Sequence, residues 1–294
     1  MKIGIAGVGR MGAAIAERLI GQGHDLLVWN RTAGKLADLT AKGAAACASP
    51  AALVEQSETI ITILTDADAI EAVYDGVDGL LSDRLDGKLV IDMSTVRPEV
   101  EQALAERVQA QGAAFVECPV GGTVAPAKDG KLLGFAGGEV GDVERARSIL
   151  DALCRRVEHV GPVGAGASVK LAINLPLAVY WQALGEAMTL CRDLGVDAAR
   201  MVDIFADSSA GPNVMKSRAA LVAKALSGQQ LPGTFDIDGL RKDLRTMLAE
   251  AKGLGAELPV TEATLACYDQ SAMAGLGSLD GAQQSAFWRD RTKS

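Results

Sequence analysis

The N-terminal stretch constrains the fold more than any other part of the chain, because a glycine pattern lies between two apolar strand segments. Lys2–Ala6 has the composition of a short buried strand, and Gly7–Gly12 follows it as GxGxxG. A helical pattern over Met11–Ile20 then leads to a second strand signal at His24–Trp29. Strand, glycine turn, helix and strand in this order are the context that a dinucleotide-binding unit requires.

The glycines of this turn have separate physical reasons. Gly7 permits the tight turn, Gly9 lets the backbone approach a pyrophosphate, and Gly12 allows the helix to pack closely on the strand. The start of the helix would face the phosphate charge. Glycines that only form a turn are the alternative interpretation. We predict that the whole turn binds the cofactor: Gly7, Val8, Gly9, Arg10, Met11 and Gly12.

The tip of the second strand indicates which dinucleotide binds. It reads Asn30-Arg31-Thr32, with Lys35 shortly after. NAD sites usually have Asp or Glu here, about 20 residues after the glycines, to hold the ribose 2′-hydroxyl. A guanidinium instead binds a phosphate bidentately, and Thr32 at the start of a helix adds a hydroxyl and N–H groups. We predict NADP, bound by these four residues, with NAD as the weaker alternative. An ordinary solvated turn is the other interpretation.

Strand and helix signals then alternate along the first half of the chain. Such alternation predicts an α/β doubly wound sheet with helices on both faces and ligands at the carboxyl ends of the strands. We predict that the later strands are parallel, at Thr59–Leu64, Lys88–Asp92, Ala114–Cys118, Gly134–Gly137 and Val157–Val160. Strand signals stop at the glycine-rich segment 161–166, and helical patterns follow. We predict a Rossmann domain at residues 1–162 and an all-α domain at 163–294.

The second domain begins with a long helix that has few polar residues. Leu171–Leu190 is apolar on every face apart from Glu186, which predicts a buried helix. Asn174 and Pro176 interrupt the run, so a membrane span is disfavoured. We predict that this helix joins the two domains. A second copy of the chain is needed to cover it, which predicts a homodimer or homotetramer.

Lys170 and Asn174 are the best candidates for chemistry, because residues four apart share one face of a helix. Reduction of an aldehyde or ketone puts negative charge on its oxygen while hydride arrives at carbon. An ammonium near that oxygen stabilises the charge and supplies a proton, and in oxidation a neutral lysine accepts one. A lysine exposed in the first turn of the helix is the structural alternative.

Composition excludes several other functions. A net charge of −8 and a pI near 4.9 argue against nucleic acid and anionic membranes as partners. The 5 cysteines are scattered, only 2 histidines occur, and GxSxG is absent. These features disfavour a disulfide scaffold, a metal site and a serine-hydrolase triad. The opening MKIGIAGVG runs directly into a strand, so we expect no signal peptide and a cytoplasmic protein.

Five stretches together resemble the β-hydroxyacid dehydrogenase family over nearly the whole chain. They are GIAGVGRMG at Gly4–Gly12, DMSTVRPE at Asp92–Glu99, ECPVGG at Glu117–Gly122, GAGASVKLAIN at Gly164–Asn174 and KDL at Lys242–Leu244. The family includes 3-hydroxyisobutyrate dehydrogenase, tartronate semialdehyde reductase and glyoxylate/succinic semialdehyde reductases. The resemblance implies a Rossmann domain, then a helical domain reached through a long helix. It also implies hydride transfer between NADP and a small β-hydroxy acid or its semialdehyde.

The resemblance also assigns roles to residues. It implies that Lys170 is the catalytic lysine and that Asn174, one helical turn on, helps to bind the substrate. The implied cofactor contacts are Leu64, Thr65, Thr95 and Lys242. In the family a serine-glycine-glycine loop holds the substrate carboxylate, and the same positions here are Gly121, Gly122 and Thr123. The serine is missing, although backbone donors of this loop can still bind an acid group.

Two other functions fit the same motifs. An imine reductase would have the same architecture, but those enzymes generally lack the lysine on this helix. A non-catalytic NADP-binding regulatory module would keep the fold without turnover. The intact pair of Lys170 and Asn174 argues against that module.

Overall fold

The structure is a computed structural model that describes residues 1–291, and the chain divides into two compact units. The first unit is Met1–Leu171 and the second begins at Ala172. One helix, Ala165–Leu190, contains the junction between them.

The first unit contains a single sheet with the topology of a Rossmann fold. Its strands are β1 (Lys2–Ala6), β2 (Asp25–Trp29), β3 (Ala45–Ala46), β4 (Thr59–Thr62), β5 (Leu89–Asp92), β6 (Ala114–Glu117), β7 (Val120–Gly121), β8 (Leu132–Gly138) and β9 (Cys154–Gly161). The order β3-β2-β1-β4-β5-β6 is parallel throughout. In such a sheet ligands bind where the strand order reverses, here beside β1 and β4. The predicted fold class is confirmed.

The far end of the sheet differs from the prediction of parallel strands. β8 is antiparallel to β6, with Val116 opposite Gly138, and antiparallel to β7. β9 pairs with β8 in parallel. Parallel neighbours need a crossover, usually through a helix. Residues 118–131 hold β7 and one five-residue helix, so the chain returns in the opposite direction.

Both faces of the central strands are buried, which is why their sequences are continuously apolar rather than alternating. On β5, Leu89 and Ile91 belong to one apolar cluster, while Val90 between them belongs to the cluster on the other face. The helices of this unit are α1 (Arg10–Gly21), α2 (Ala37–Ala41), α3 (Pro50–Gln56), α4 (Ala67–Tyr74), α5 (Pro98–Ala110), α6 (Val124–Lys128) and α7 (Val140–Leu153).

In the described residues of the second unit, the regular secondary structure is helical apart from two isolated β-bridges. It contains most of α8 (Ala165–Leu190) and then α9 (Ala198–Asp207), α10 (Asn213–Leu226), α11 (Ile237–Gly253), α12 (Pro259–Ser271) and α13 (Gln283–Arg291). Within residues 1–291 no helix is both long enough and apolar enough to cross a membrane.

In the single chain α8 is buried on some faces and exposed on others. Trp181 and Leu184 are buried, as are Ala178 and Met188. Leu190, in contrast, is 86% exposed. Hydrophobic composition around a whole helix indicates that it needs cover, but it does not say whether that cover comes from its own chain.

Candidate active site

The glycine turn after β1 has the geometry that a dinucleotide cradle needs. Gly7 has φ +102°, and a Cβ built there would lie 2.4 Å from the carbonyl oxygen of Ile63. A Cβ at Gly12 would lie 2.1 Å from the carbonyl oxygen of Gly7. Both glycines are therefore required by the close packing of β1, β4 and α1. A Cβ at Gly9, however, would meet no atom within 4 Å.

The open space at Gly9 and the start of α1 fit a pyrophosphate. Gly9 is the N-cap of α1, no side chain caps the helix, and its first turn contains no acidic residue. The N–H groups at a helix start carry partial positive charge and attract anions. The residues present thus fit the phosphates of a dinucleotide. Among residues 1–291 no group of three or more His, Cys, Asp or Glu side chains could hold a metal ion.

Asn30 connects the glycine turn to the tip of β2. Its Oδ1 accepts a hydrogen bond from the Val8 N–H at 3.0 Å, and its Nδ2 donates to the Thr32 carbonyl at 3.0 Å. Asn30 therefore links the glycine turn to the residues after β2 through these two hydrogen bonds. Arg31 and Lys35 are exposed, and neither has an acidic partner among the described residues. Thr32 precedes a single 3₁₀ turn, Ala33–Leu36, rather than an α-helix.

A chain of buried hydrogen bonds joins the carboxyl ends of β4 and β5. The Asp92 carboxylate accepts from the Thr62 hydroxyl at 2.5 Å and from the Ser94 N–H at 2.7 Å. The Ser94 hydroxyl in turn accepts from the Leu64 N–H at 2.9 Å. These bonds fix the loop after β4 against the loop after β5. Both loops carry predicted cofactor contacts: Leu64, Thr65 and Thr95.

The helices that follow β4 and β5 are capped by residues other than the predicted cofactor contacts. Thr65 is exposed, and the N-cap of α4 is its neighbour Asp66, whose carboxylate accepts from the Ala69 N–H at 2.9 Å. Ser94 is not a helix cap either, because Arg97 is the N-cap of α5. The Thr65 hydroxyl is therefore left for another role.

The predicted substrate loop lies between β6 and α6. Gly122 has φ +129°, a conformation that favours glycine, and a Cβ there would lie 2.7 Å from Leu132. Position 121 is different, because a Cβ at Gly121 would make only an ordinary contact of 3.7 Å with Leu133. Thr123 is the N-cap of α6, yet its side chain accepts no capping hydrogen bond. The missing serine at position 121 is therefore not dictated by lack of space.

Lys170 and Asn174 lie one turn apart on α8, and both are buried, with exposures of 8% and 5%. Within the second unit, the Asn174 Nδ2 donates to Asp243 Oδ2 at 2.8 Å. The other oxygen of Asp243 pairs with the Lys242 Nζ at 2.7 Å. One carboxylate, itself 3% exposed, thus holds two predicted site residues.

Sequence reasoning missed Asp243 and the polar chain at Asp92 and Ser94. The signals were present, because Asp243 is the middle residue of the KDL stretch and Asp92 opens the DMSTVRPE stretch. A motif shows which residues occur together, but not which of them hydrogen-bond. The bond from Asn174 to Asp243 spans 69 residues of sequence.

Both halves of the chain match models of known protein families. Residues 2–161 match the family model for the NAD binding domain of 6-phosphogluconate dehydrogenase. Residues 164–287 match the model for the NAD-binding region of NADP-dependent 3-hydroxyisobutyrate dehydrogenase. These matches confirm the predicted nicotinamide cofactor and support NADP.

Individual relatives match over almost their whole lengths. Glyoxylate/succinic semialdehyde reductase 1 of Arabidopsis thaliana is 33% identical over 281 residues, 95% of this chain and 96% of that protein. The 3-sulfolactaldehyde reductase of Escherichia coli is 36% identical over 279 residues, 95% of this chain and 92% of that protein. A solved structure, Psf3 in complex with NADP+ and 2-OPP, is 26% identical with a TM-score of 0.87, covering 97% of this chain and 99% of that one.

The chain is a nicotinamide-dependent oxidoreductase. It has a Rossmann sheet, a glycine turn that leads into a helix without a side-chain cap, and a helical second unit. The agreement of both family models and of relatives above 30% identity is more specific than the fold. The chain belongs to the β-hydroxyacid dehydrogenase family.

Gly9→Ala provides a direct test of the cradle. The new methyl group meets no protein atom within 4 Å, so the free energy of unfolding should change by less than about 1 kcal/mol. It occupies the space proposed for the pyrophosphate, and overpacking of about 1–3 kcal/mol should weaken NADPH binding roughly 10- to 100-fold. Fluorescence titration with NADPH and thermal unfolding measure the two effects.

Gly21→Ala is the matched control. Gly21 ends the same helix, and a Cβ there also meets no atom within 4 Å. This variant should bind NADPH like the unmodified protein. Unweakened binding in Gly9→Ala would show that the phosphates do not approach the turn at this position.

Proposed function

We propose that the chain is an NADPH-dependent reductase that interconverts a small hydroxy acid and its aldehyde or keto form. Residues 1–162 form its cofactor domain, and residues 163–294 its substrate and dimerisation domain. The observation that carries this proposal is the buried Lys170 with Asn174 one turn on along α8. Both match positions of the family's catalytic motif, and a buried lysine needs a functional or pairing reason because its burial is costly.

Lys170 acts as the general acid in reduction. When bound, the reduced nicotinamide supplies hydride to the carbonyl carbon of the substrate. The Lys170 ammonium donates a hydrogen bond to the carbonyl oxygen and then transfers a proton from Nζ, so that this oxygen becomes a hydroxyl. The neutral amine regains a proton from water, and the reverse steps serve oxidation. Proton transfer by a positioned group contributes about 10²–10⁴ in rate.

Asn174 orients the substrate, and Asp243 orients Asn174. The bond of 2.8 Å from Nδ2 to Asp243 determines which way the amide of Asn174 faces. Asp243 also holds the ammonium of Lys242, which we propose as a cofactor contact. A charge-assisted hydrogen bond in a buried site is roughly twice as strong as a neutral one, which suits an arrangement that must stay rigid.

The substrate is a small aldehyde or ketone that carries an anionic group. The relatives are named for glyoxylate and succinic semialdehyde, which are carboxylates, and for sulfolactaldehyde, which is a sulfonate. We propose that Gly121, Gly122 and Thr123 bind this group through backbone N–H groups and the Thr123 hydroxyl. A loop of backbone donors accepts either anion, because it recognises oxygens and charge.

A screen of NADPH oxidation tests the proposal. Its substrates are glyoxylate, succinic semialdehyde, tartronate semialdehyde, methylmalonate semialdehyde, 3-sulfolactaldehyde and a cyclic imine. We expect turnover with at least one anionic aldehyde and none with the imine. Turnover of the imine alone would favour an imine reductase. NADPH binding without any turnover would favour a non-catalytic module.

Lys170→Ala should lower kcat on the best substrate by about 100-fold or more, which is the usual contribution of acid–base catalysis. The affinity for NADPH should stay within about twofold, since the glycine turn is unchanged. Lys252→Ala is the control, because Lys252 is an exposed lysine near the end of α11. Steady-state kinetics of the three proteins decide the matter, and a near-normal rate in Lys170→Ala would remove the lysine from the mechanism.

Arg31→Ser tests the preference for NADP. We propose that Arg31, with Asn30, Thr32 and Lys35 around it, binds the 2′-phosphate. A hydrogen bond to a charged group contributes about 1.5–3 kcal/mol, so kcat/KM with NADPH should fall roughly 10- to 100-fold. The value with NADH should hardly change and serves as the internal control. Equal losses with both cofactors would place Arg31 elsewhere in the binding of the dinucleotide.

We also propose a homodimer or homotetramer in which a second copy covers α8. Ile173 and Leu190 on this helix are 43% and 86% exposed. Leu190→Glu should shift light scattering at micromolar concentration toward the monomer, because a charge would be desolvated at the interface. Val77→Glu is the control, since Val77 is 97% exposed in the first unit. A monomeric unmodified protein would contradict the proposal.

A further inference from the structure

A buried glutamate at the end of β6 binds the first turn of α8. Glu117 Oε1 accepts from the Gly164 N–H at 2.6 Å and from the Gly166 N–H at 2.7 Å, and its Oε2 accepts from the Ala167 N–H at 3.3 Å. The side chain has no exposed surface. These contacts lie within the first unit, and they supply acceptors for N–H groups that a helix start otherwise leaves unpaired.

Two glycines leave room for this carboxylate and for the backbone beside it. A Cβ at Gly137 on β8 would lie 2.2 Å from Glu117 Oε1, and one at Gly166 would lie 2.3 Å from the Phe135 carbonyl oxygen and 3.2 Å from Glu117 Oε1. Gly164 has φ +99°, which turns its N–H toward the carboxylate at little conformational cost. The glycine-rich segment that resembles a domain boundary in sequence is therefore a cradle for Glu117.

Glu117 connects the two parts of the proposed active site. Ala167, which it binds, precedes Lys170 by less than one helical turn, and Glu117 itself leads into the loop that begins at Gly121. We propose that Glu117 is a positioning residue that holds the helix turn carrying Lys170 against the strand that leads into the substrate loop. This inference rests on the proposed function, because it presumes that Lys170 transfers the proton.

Ionisation of Glu117 costs free energy, because the carboxyl group is buried. Burial raises the pKa of Glu117 to about 7, even though the N–H donors of Gly166, Gly164 and Ala167 act to lower the pKa. The folded chain thus holds the proton more tightly than the unfolded chain. Above pH 7 the ionised carboxyl lowers stability, and this cost disappears as the pH falls toward the ordinary pKa. A perturbed acid kept at such a cost is typical of functional sites.

The other titratable groups around Glu117 are two carboxyls, a thiol and an imidazole. Asp92 at the end of β5 raises the pKa of Glu117 by charge repulsion, and Glu117 has the same effect on Glu101 of α5 and on the adjacent Cys118. On β9, His159 hydrogen-bonds to the carbonyls of Gly138 and Gly161 rather than to the carboxylate. No cation among these groups neutralises Glu117, so its charge is stabilised by the start of α8.

Glu117→Gln tests the link with little change in shape. The amide can still accept from Gly164 and Gly166, but its NH₂ opposes the Ala167 N–H and the negative charge is lost. Hydrogen exchange followed by mass spectrometry should show at least about tenfold faster exchange in the peptide 164–168. Thermal unfolding at pH 8 should show a Tm no lower than that of the unmodified protein, which separates positioning from a purely structural role.

The same variant should have a kcat about tenfold lower, with NADPH affinity unchanged. In the unmodified protein kcat for reduction should fall as the pH drops through about 7, where Glu117 becomes neutral, and Glu117→Gln should lack this decrease. Glu117→Asp keeps the charge with a shorter reach and should recover part of the loss. Glu101→Gln, which removes a carboxyl equally buried in the same cluster, should keep the normal kcat.

A double-mutant comparison separates this inference from the proposed function. If Glu117 acts through Lys170, adding Glu117→Gln to Lys170→Ala should cause less than a twofold further loss of kcat. A near-normal kcat in Lys170→Ala alone would refute the general-acid role of Lys170 in the proposed function, on which this inference rests. A normal kcat and unchanged exchange in Glu117→Gln, with Lys170→Ala still impaired, would refute only the role of Glu117.

Discussion

The N–H groups at a helix start need an acceptor, and two helices that begin in the first unit differ in whether the protein supplies one. At α1 no side chain caps the helix, its first turn has no acid, and space in front of Gly9 is open. At α8 the protein supplies its own anion, the buried carboxylate of Glu117. The first arrangement suits an anionic ligand, whereas the second fixes the start of the helix that carries Lys170, the proposed proton donor.

A second buried carboxylate, that of Asp92, holds the loops at the carboxyl ends of β4 and β5. Asp92 receives two hydrogen bonds and, through Ser94, reaches the loop after β4. Burial raises the pKa of Asp92 as well, although its hydrogen bonds to Thr62 and Ser94 act to lower it. Partly satisfied buried networks are destabilising, whereas satisfied ones rigidify their surroundings. These hydrogen bonds hold in place the two loops that carry the predicted cofactor contacts.

Local patterns were sufficient to predict much of the fold. The predicted strand Lys2–Ala6 has the limits that the structure shows, and the strand predicted at Lys88–Asp92 is observed at Leu89–Asp92. The direction of β8 was wrong, since periodicity carries no information about direction. The short elements β7 and α6 were missed, because two and five residues are too few to show a period.

For the candidate site, the sequence predicted candidate residues but not the contacts that hold them in place. The glycine turn, Lys170 and Asn174 were recognisable because local spacing or a motif marks them. Their supports are distant in sequence: Glu117 lies 49 residues from Gly166, and Asp243 lies 69 residues from Asn174. No local rule pairs residues so far apart. Glu117 and Asp243 lie within the ECPVGG and KDL stretches, where the predicted roles were given to other residues.

These two distant carboxylates act on one stretch of α8. Glu117 binds the backbone at its first turn, and Asp243 binds the side chain of Asn174. Lys170 lies between the two attachments on the same helix. Catalysis needs reacting groups held to within a fraction of an ångström, and side chains with charged, buried partners provide that restraint. The two attachments therefore lie on either side of the lysine along the helix.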